Sequence, residues 1–115
     1  MAGDRYSEAE KWNVSIIYYK LALYLSPFNF SIMLELGNSF AEQENFNQAQ
    51  KYYQKSLKLN PNYPEALINL GHLYIDQGEW QQADQFFNKG YRLKHGIPYN
   101  EGNYNLLDMY QLRIL

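Results

Sequence analysis

The chain contains no cysteine. Disulfides and thiolate metal sites are therefore excluded, a composition suited to a reducing compartment and equally permitted outside one. A strong charge of either sign is also missing: 10 basic residues stand against 12 acidic ones, for a net charge of -2. A protein that binds nucleic acid by neutralising phosphates needs a basic face, and this balance argues against one. The longest apolar stretch, Ile16 to Leu25, has ten residues and is interrupted by Lys20, well short of the roughly 20 that cross a bilayer. Nor does Met1-Ala2-Gly3-Asp4-Arg5 lead into a secretory signal. With no signal, no span and no cysteine, the default address is cytoplasmic.

Catalytic signatures are absent too. There is no glycine-rich phosphate loop and no nucleophile at a recognisable spacing from a base, so neither an enzyme nor a cofactor is expected. His72 and His95 lie 23 residues apart with no cysteine near them, which predicts no metal site. Glu42, Glu44, Asp76 and Glu79 are read as solvated turn and rim residues rather than acid-base pairs. Asn13-Val14-Ser15 and Asn29-Phe30-Ser31 match the glycosylation sequon, but with no signal peptide they are read as chance.

What the chain has in quantity is aromatic: twelve tyrosines, six phenylalanines and two tryptophans in 115 residues. Large rings pack where small residues leave shallow sites, as between stacked helix pairs. The length suits one domain with a modest core.

The stretch from Phe30 to Tyr63 orders the rest. Shifted forward by 34 residues, Leu36-Gly37 falls on Leu70-Gly71, Phe40 on Tyr74, Phe46 on Trp80, Ala49 on Ala83, Tyr53 on Phe87 and Leu59 on Leu93. Shifted back by the same step, Phe40 falls on Tyr6, Phe46 on Trp12, Tyr53 on Tyr19, Ser56 on Ala22 and Pro61 on Pro27. A fixed period of this size marks a repeat architecture. Within the central copy, Ile32, Met33, Leu36, Phe40 and Ala41 follow helical spacing. Glu44-Asn45 makes a turn, and Phe46 to Leu59 returns as a second helix before Asn60-Pro61-Asn62. The next copy opens with Pro64-Glu65 at a helix start, turns at Gly78 and returns from Trp80 to about Lys94. In the first copy, residues 4 to 10 read as the end of a helix and Trp12 to Leu25 as its return partner. After Pro98, residues 100 to 115 read as one further helix outside the repeat.

Helices this short cannot bury their apolar sides alone, so copies must stack. Gly37 and Gly71 stand where the two helices of a hairpin would meet, each accepting Tyr53 or Phe87 from across. Glycine costs a helix about 1 kcal/mol relative to alanine, which close packing would justify. Gly90 and His95 depart from the pattern, standing where earlier copies have Ala22 or Ser56 and Pro27 or Pro61.

The series Leu36, Gly37, Phe40, Ala49, Tyr53 and Pro61, largely repeated at Leu70, Gly71, Tyr74, Ala83 and Phe87, resembles the tetratricopeptide repeat. The resemblance covers about residues 2 to 95. The pentatricopeptide repeats of RNA-binding proteins, with a 35-residue step and without this small-residue pattern, fit less well. The resemblance implies an all-α fold, an α-solenoid of antiparallel helix hairpins in a right-handed superhelix. A truncated first repeat (1–29) would be followed by complete ones at 30–63 and 64–97, and residues 98–115 would add a C-terminal helix. It also implies a concave groove, lined by first helices, that holds a peptide or helix of a protein partner. On that pattern the groove positions are Leu34, Asn38, Ala41 and Glu42, then Ile68, Asn69, His72, Ile75 and Asp76. Some family members grip a terminal carboxylate with lysines, an arginine and asparagines. Here Asn38 and Asn69 match, but Leu34 replaces a lysine, and His72 and Asp76 stand where basic groups would. A buried anion needs paired cations, so that version is disfavoured.

The ends are unusually apolar. Leu106, Leu107, Met109, Tyr110, Leu112, Ile114 and Leu115 lie on more than one side of the last helix, and Ile16 to Leu25 is apolar almost all round. A terminal cap should keep its outer side polar. Both ends are therefore expected in an oligomer or partner interface. The functional expectation is a scaffold or adaptor; the alternative is part of a longer solenoid serving as a structural subunit or assembly factor of a larger complex.

Overall fold

The computed structural model describes the backbone of residues 2–96 and the side chains of residues 8–96. It contains five helices: α1 (Ala2–Leu25), α2 (Phe30–Glu42), α3 (Phe46–Leu59), α4 (Pro64–Asp76) and α5 (Trp80–Lys94). No strand occurs among the described residues. The helical segment expected at residues 100 to 115, with the interface residues assigned to it, lies outside them. After Leu59 the chain divides into two compact units.

In the first unit, α2 starts at Asn29, whose extended backbone stops helix growth and whose side-chain oxygen accepts from the Ser31 and Ile32 amides, both at 3.1 Å. Such a cap satisfies donors that have no partner within the helix. From there α2 buries Met33, Leu34, Leu36, Gly37, Ser39 and Phe40, and α3 buries Ala49, Tyr53 and Ser56. The two helices approach closely at Gly37. A Cβ placed there would sit 2.6 Å from Cε1 of Tyr53, inside any tolerable contact, so the ring of Tyr53 occupies the space a side chain would need. Further along α3, Ser56 donates to the Phe30 carbonyl at 2.8 Å, tying it to the start of α2. Phe40 stacks on Tyr52 with centroids 5.7 Å apart and planes 7° from parallel.

The turn between α2 and α3 places Glu44 at φ 60. This left-handed geometry costs a residue with a Cβ about 1–2 kcal/mol. At the corresponding point of the second unit stands Gly78, with φ 77, where the cost vanishes.

The first copy departs from expectation here. Residues 4 to 10 and Trp12 to Leu25 are not two helices; α1 runs unbroken through Glu10 and Lys11. Glu10 is the register equivalent of Glu44 and Gly78, yet it continues the helix. Continuing the helix spares Glu10 the left-handed geometry that a residue with a Cβ adopts only at a cost. Helix α1 instead packs along α2, where the side-chain amides of Asn13 and Gln43 hydrogen-bond and the Lys20 ammonium lies 5.7 Å from the Phe40 ring centroid. It ends at Leu25, before Ser26-Pro27, as proline's missing donor and ring sterics require.

The second unit repeats the hairpin. Pro64 opens α4 at its first turn with Glu65 beside it, and α4 buries Ala66, Leu67, Ile68, Leu70, Gly71 and Leu73. A Cβ on Gly71 would lie 2.9 Å from Cδ1 of Phe87. Tyr74 stacks on Phe86 at 5.4 Å, and Phe87 on Tyr91 at 5.9 Å. Gly90, a departure from the repeat in sequence, is a second close approach. A Cβ there would meet Ile68 Cγ1 at 2.7 Å and the Ile68 backbone nitrogen at 3.2 Å.

Two substitutions test this packing. Gly37→Ala forces the Tyr53 ring to move, and we expect it to destabilise the chain by about 1–3 kcal/mol despite alanine's better helix propensity. Glu44→Gly, which relieves a left-handed glutamate, should leave stability unchanged or raise it by up to about 1 kcal/mol. Chemical denaturation monitored by circular dichroism reads both.

Candidate protein-binding surface

Of the α2 positions expected to face a partner, Leu34 is buried, Asn38 and Ala41 are half-buried and Glu42 is exposed. On α4, Ile68 is buried, Asn69 and Ile75 are half-buried, and His72 and Asp76 are exposed. Ile68 packs with Ala83 and Phe87 in the core of its own hairpin. The side chains that solvent reaches are therefore chiefly Glu42, His72 and Asp76, with Asn38, Ala41, Asn69 and Ile75 at the margin.

Asn38 also serves its hairpin. The Tyr53 hydroxyl donates to its side-chain oxygen at 2.6 Å, so the buried phenol has the partner such a group requires. Burial, with Glu42 and then Glu35 adding repulsion, pushes the Tyr53 phenol well above its ordinary range. The second hairpin has a different solution at the same two register positions. His72 stands where Asn38 would be and Phe87 where Tyr53 would be, and the rings meet edge to face at 4.8 Å and 82°. A phenol needs an acceptor; a phenyl ring needs none and packs edge to face with the imidazole instead. The paired change was present in the 34-residue alignment, but nothing in the sequence marked the two positions as touching.

The acids Glu42, Glu44, Asp76 and Glu79 are all exposed. An open hollow in the first unit is lined by Glu8, Ala9, Trp12, Glu42, Gln43, Glu44 and Asn45. Among the described residues no group of three or more His, Cys, Asp or Glu could hold a metal ion, and no helix is long and apolar enough to cross a membrane. On α5, Asn88 is fully buried and its Arg92-bound oxygen is satisfied, whereas Asn88 Nδ2 and Asp84 Oδ1 have no hydrogen-bond partner. Burial raises the Asp84 carboxyl above its ordinary value.

Removing Asn38 should therefore be felt in stability. We expect Asn38→Ala to cost about 1–3 kcal/mol, because it strands a buried hydroxyl, and Asn38→Ala/Tyr53→Phe to recover part of that loss. The phenol also predicts an alkaline limit. The folded state holds this proton more tightly than the unfolded one, so its contribution is complete below about pH 10 and is lost as pH rises beyond. Thermal melts above pH 10 should fall more steeply for the wild type than for Tyr53→Phe.

Residues 40–91 match a family model described as tetratricopeptide repeat. A search of curated proteins found no match. Among solved structures, the Sgt2 TPR domain from Aspergillus fumigatus superposes with a TM-score of 0.73 at 15% identity, over 98% of this chain and 73% of that one. MamA AMB-1 matches with a TM-score of 0.70 at 22% identity, over 81% of this chain and 51% of that one. MamA MSR-1 gives 0.69 at 21%, over 79% and 52%. The chain thus spans about half the length of the MamA chains it matches. At these identities the likeness is one of fold. The glycine-centred hairpins, the family match and the superpositions agree on the fold: the chain is built like tetratricopeptide repeat domains, and residues 40–91 carry the match to that family's model.

Proposed function

We propose that the chain is a non-enzymatic protein-binding module, a scaffold or adaptor whose first helices α2 and α4 present the side chains that meet a partner. The tetratricopeptide repeat fold generally mediates protein–protein interaction. One observation sharpens the reading. The sequences of α2 and α4 contain Glu35, Glu42, Glu65 and Asp76 and no lysine or arginine. Helix α3 has the opposite character, with Lys51, Lys55 and Lys58 and no acid. On each hairpin taken by itself, a partner segment that meets Glu42 beside Ala41, or Asp76 beside Ile75, is best matched by basic residues interleaved with apolar ones. An acidic tail would meet like charge, in keeping with the missing clamp cations at Leu34, His72 and Asp76.

Opposite charges across such a surface speed encounter and suppress wrong partners more than they add affinity. Binding should therefore weaken as salt is raised, since exposed charges are screened within about 8–10 Å at ordinary ionic strength. The test is a peptide selected from a displayed random library against the intact chain. We expect a basic and apolar consensus, and at least about a tenfold loss of affinity, about 1.4 kcal/mol, in Glu42→Lys/Asp76→Lys. Asn38 is a poor choice for this control because it supports Tyr53. Selected peptides that are acidic, or that bind the double variant equally well, would contradict the proposal.

A further inference from the structure

Helix α1 has two apolar sides, and among the described residues only one of them is covered. Ile16 is buried and Trp12, Tyr19 and Leu23 are half-buried, while Val14, Ile17, Tyr18, Leu21, Tyr24 and Leu25 are exposed, Tyr24 at 82% and Leu25 at 81%. Phe28, in the turn that follows, is 80% exposed. The spacing of the exposed α1 residues is that of one helix stripe.

The repeat itself supplies the control. At the register positions of Ile17, Leu21 and Tyr24, α3 carries Lys51, Lys55 and Lys58, and α5 carries Gln85, Lys89 and Arg92. A helix in this hairpin register is thus well served by a polar outer side. The apolar residues on α1 are therefore not required by the hairpin register.

We infer that this stripe is the seam of a two-fold symmetric dimer, in which α1 packs antiparallel against α1 of a second copy of this chain. Within the helix the positions are symmetric about Leu21: Ile17 pairs with Leu25 and Tyr18 with Tyr24, while Leu21 meets itself. An isologous contact requires that self-complementarity, because residue i must meet j when j meets i.

Area and charge agree with this occupant. Three exposed aromatic rings and four aliphatic side chains expose on the order of 900 Å² per copy, enough surface to supply most of the ~800 Å² per partner of a standard stable interface. Between Trp12 and Asn29 the only charged residue is Lys20, and its ammonium is drawn toward Phe40 on α2. No like charges oppose each other across the axis. A membrane surface fits less well, since a helix lying in lipid headgroups carries Lys or Arg along its polar side.

The inference is independent of what α2 and α4 bind, and a monomeric variant should still bind the selected peptide. Sedimentation of the intact chain over about 1–100 µM should give twice the 13.7 kDa mass of one chain. Ile17→Lys/Leu21→Lys, which alters exposed positions only, should be monomeric with an unchanged helical spectrum. Because the chain has no cysteine, Leu21→Cys places a single thiol on the proposed axis. It should oxidise to a covalent dimer, while Lys55→Cys at the same register on α3 should not. The inference is overturned by a wild type that stays monomeric across that range, whether or not it binds vesicles. A dimer that survives the double lysine variant, or equal crosslinking by Lys55→Cys, would also overturn it.

Discussion

The structure depends on an aromatic ring lying against a helix that has no side chain to keep it away. Gly37 receives Tyr53 and Gly71 receives Phe87, each at a distance that a Cβ would forbid. The contact sets how near the two helices of a hairpin come, and that spacing decides what else fits. Ala49 and Ala83, at 0% and 1% exposure, are small because the facing helix is close. Ser56 reaches the Phe30 carbonyl, and Gly90 lies against Ile68, for the same reason. Burying a ring of this size contributes on the order of 2–3 kcal/mol, against about 1 kcal/mol of helix propensity lost at the glycine.

Once that inner packing is fixed, the outer sides are free to diverge, and they do. Helices α2 and α4 carry acids without bases, α3 carries lysines without acids, and the outer side of α1 is apolar. Three surfaces of different chemistry thus sit on helices whose inner register is common. The separation is what a repeat permits: the residues that make a hairpin are few, so most exposed positions can serve recognition. Asn38 shows the limit of the separation, since it lies at the margin of the proposed binding surface and also holds the Tyr53 hydroxyl.

Much of this was legible in the sequence, because a fixed period ties residue size to position. The hairpin helices α2 to α5 begin and end within a residue or so of the expected boundaries, and both glycine–ring contacts follow from the 34-residue shift. The unbroken α1 was not legible. Its turn was expected at the register of Glu44 and Gly78, and nothing in Glu10 itself separates a residue that takes the left-handed geometry from one that continues a helix. The two sides of α1 were likewise merged into one apolar stretch, because Ile16 and Ile17 look alike until a neighbouring helix covers one of them. Gly90 looked like a lapse in the pattern, since its reason is the Ile68 backbone and lies in the other helix. The candidate site was legible by position only: solvent reaches Glu42, His72 and Asp76, while Leu34 and Ile68 are buried.

The glycine–ring contact can be observed directly by proton NMR of the native chain. A glycine held under an aromatic face has its α-protons shielded by the ring current. The account predicts that the Gly37 and Gly71 α-protons both resonate well upfield of ordinary helical glycines, and that Tyr53→Leu and Phe87→Leu each abolish the shift at its own glycine alone. Ordinary helical shifts at both glycines in the folded wild type would contradict it.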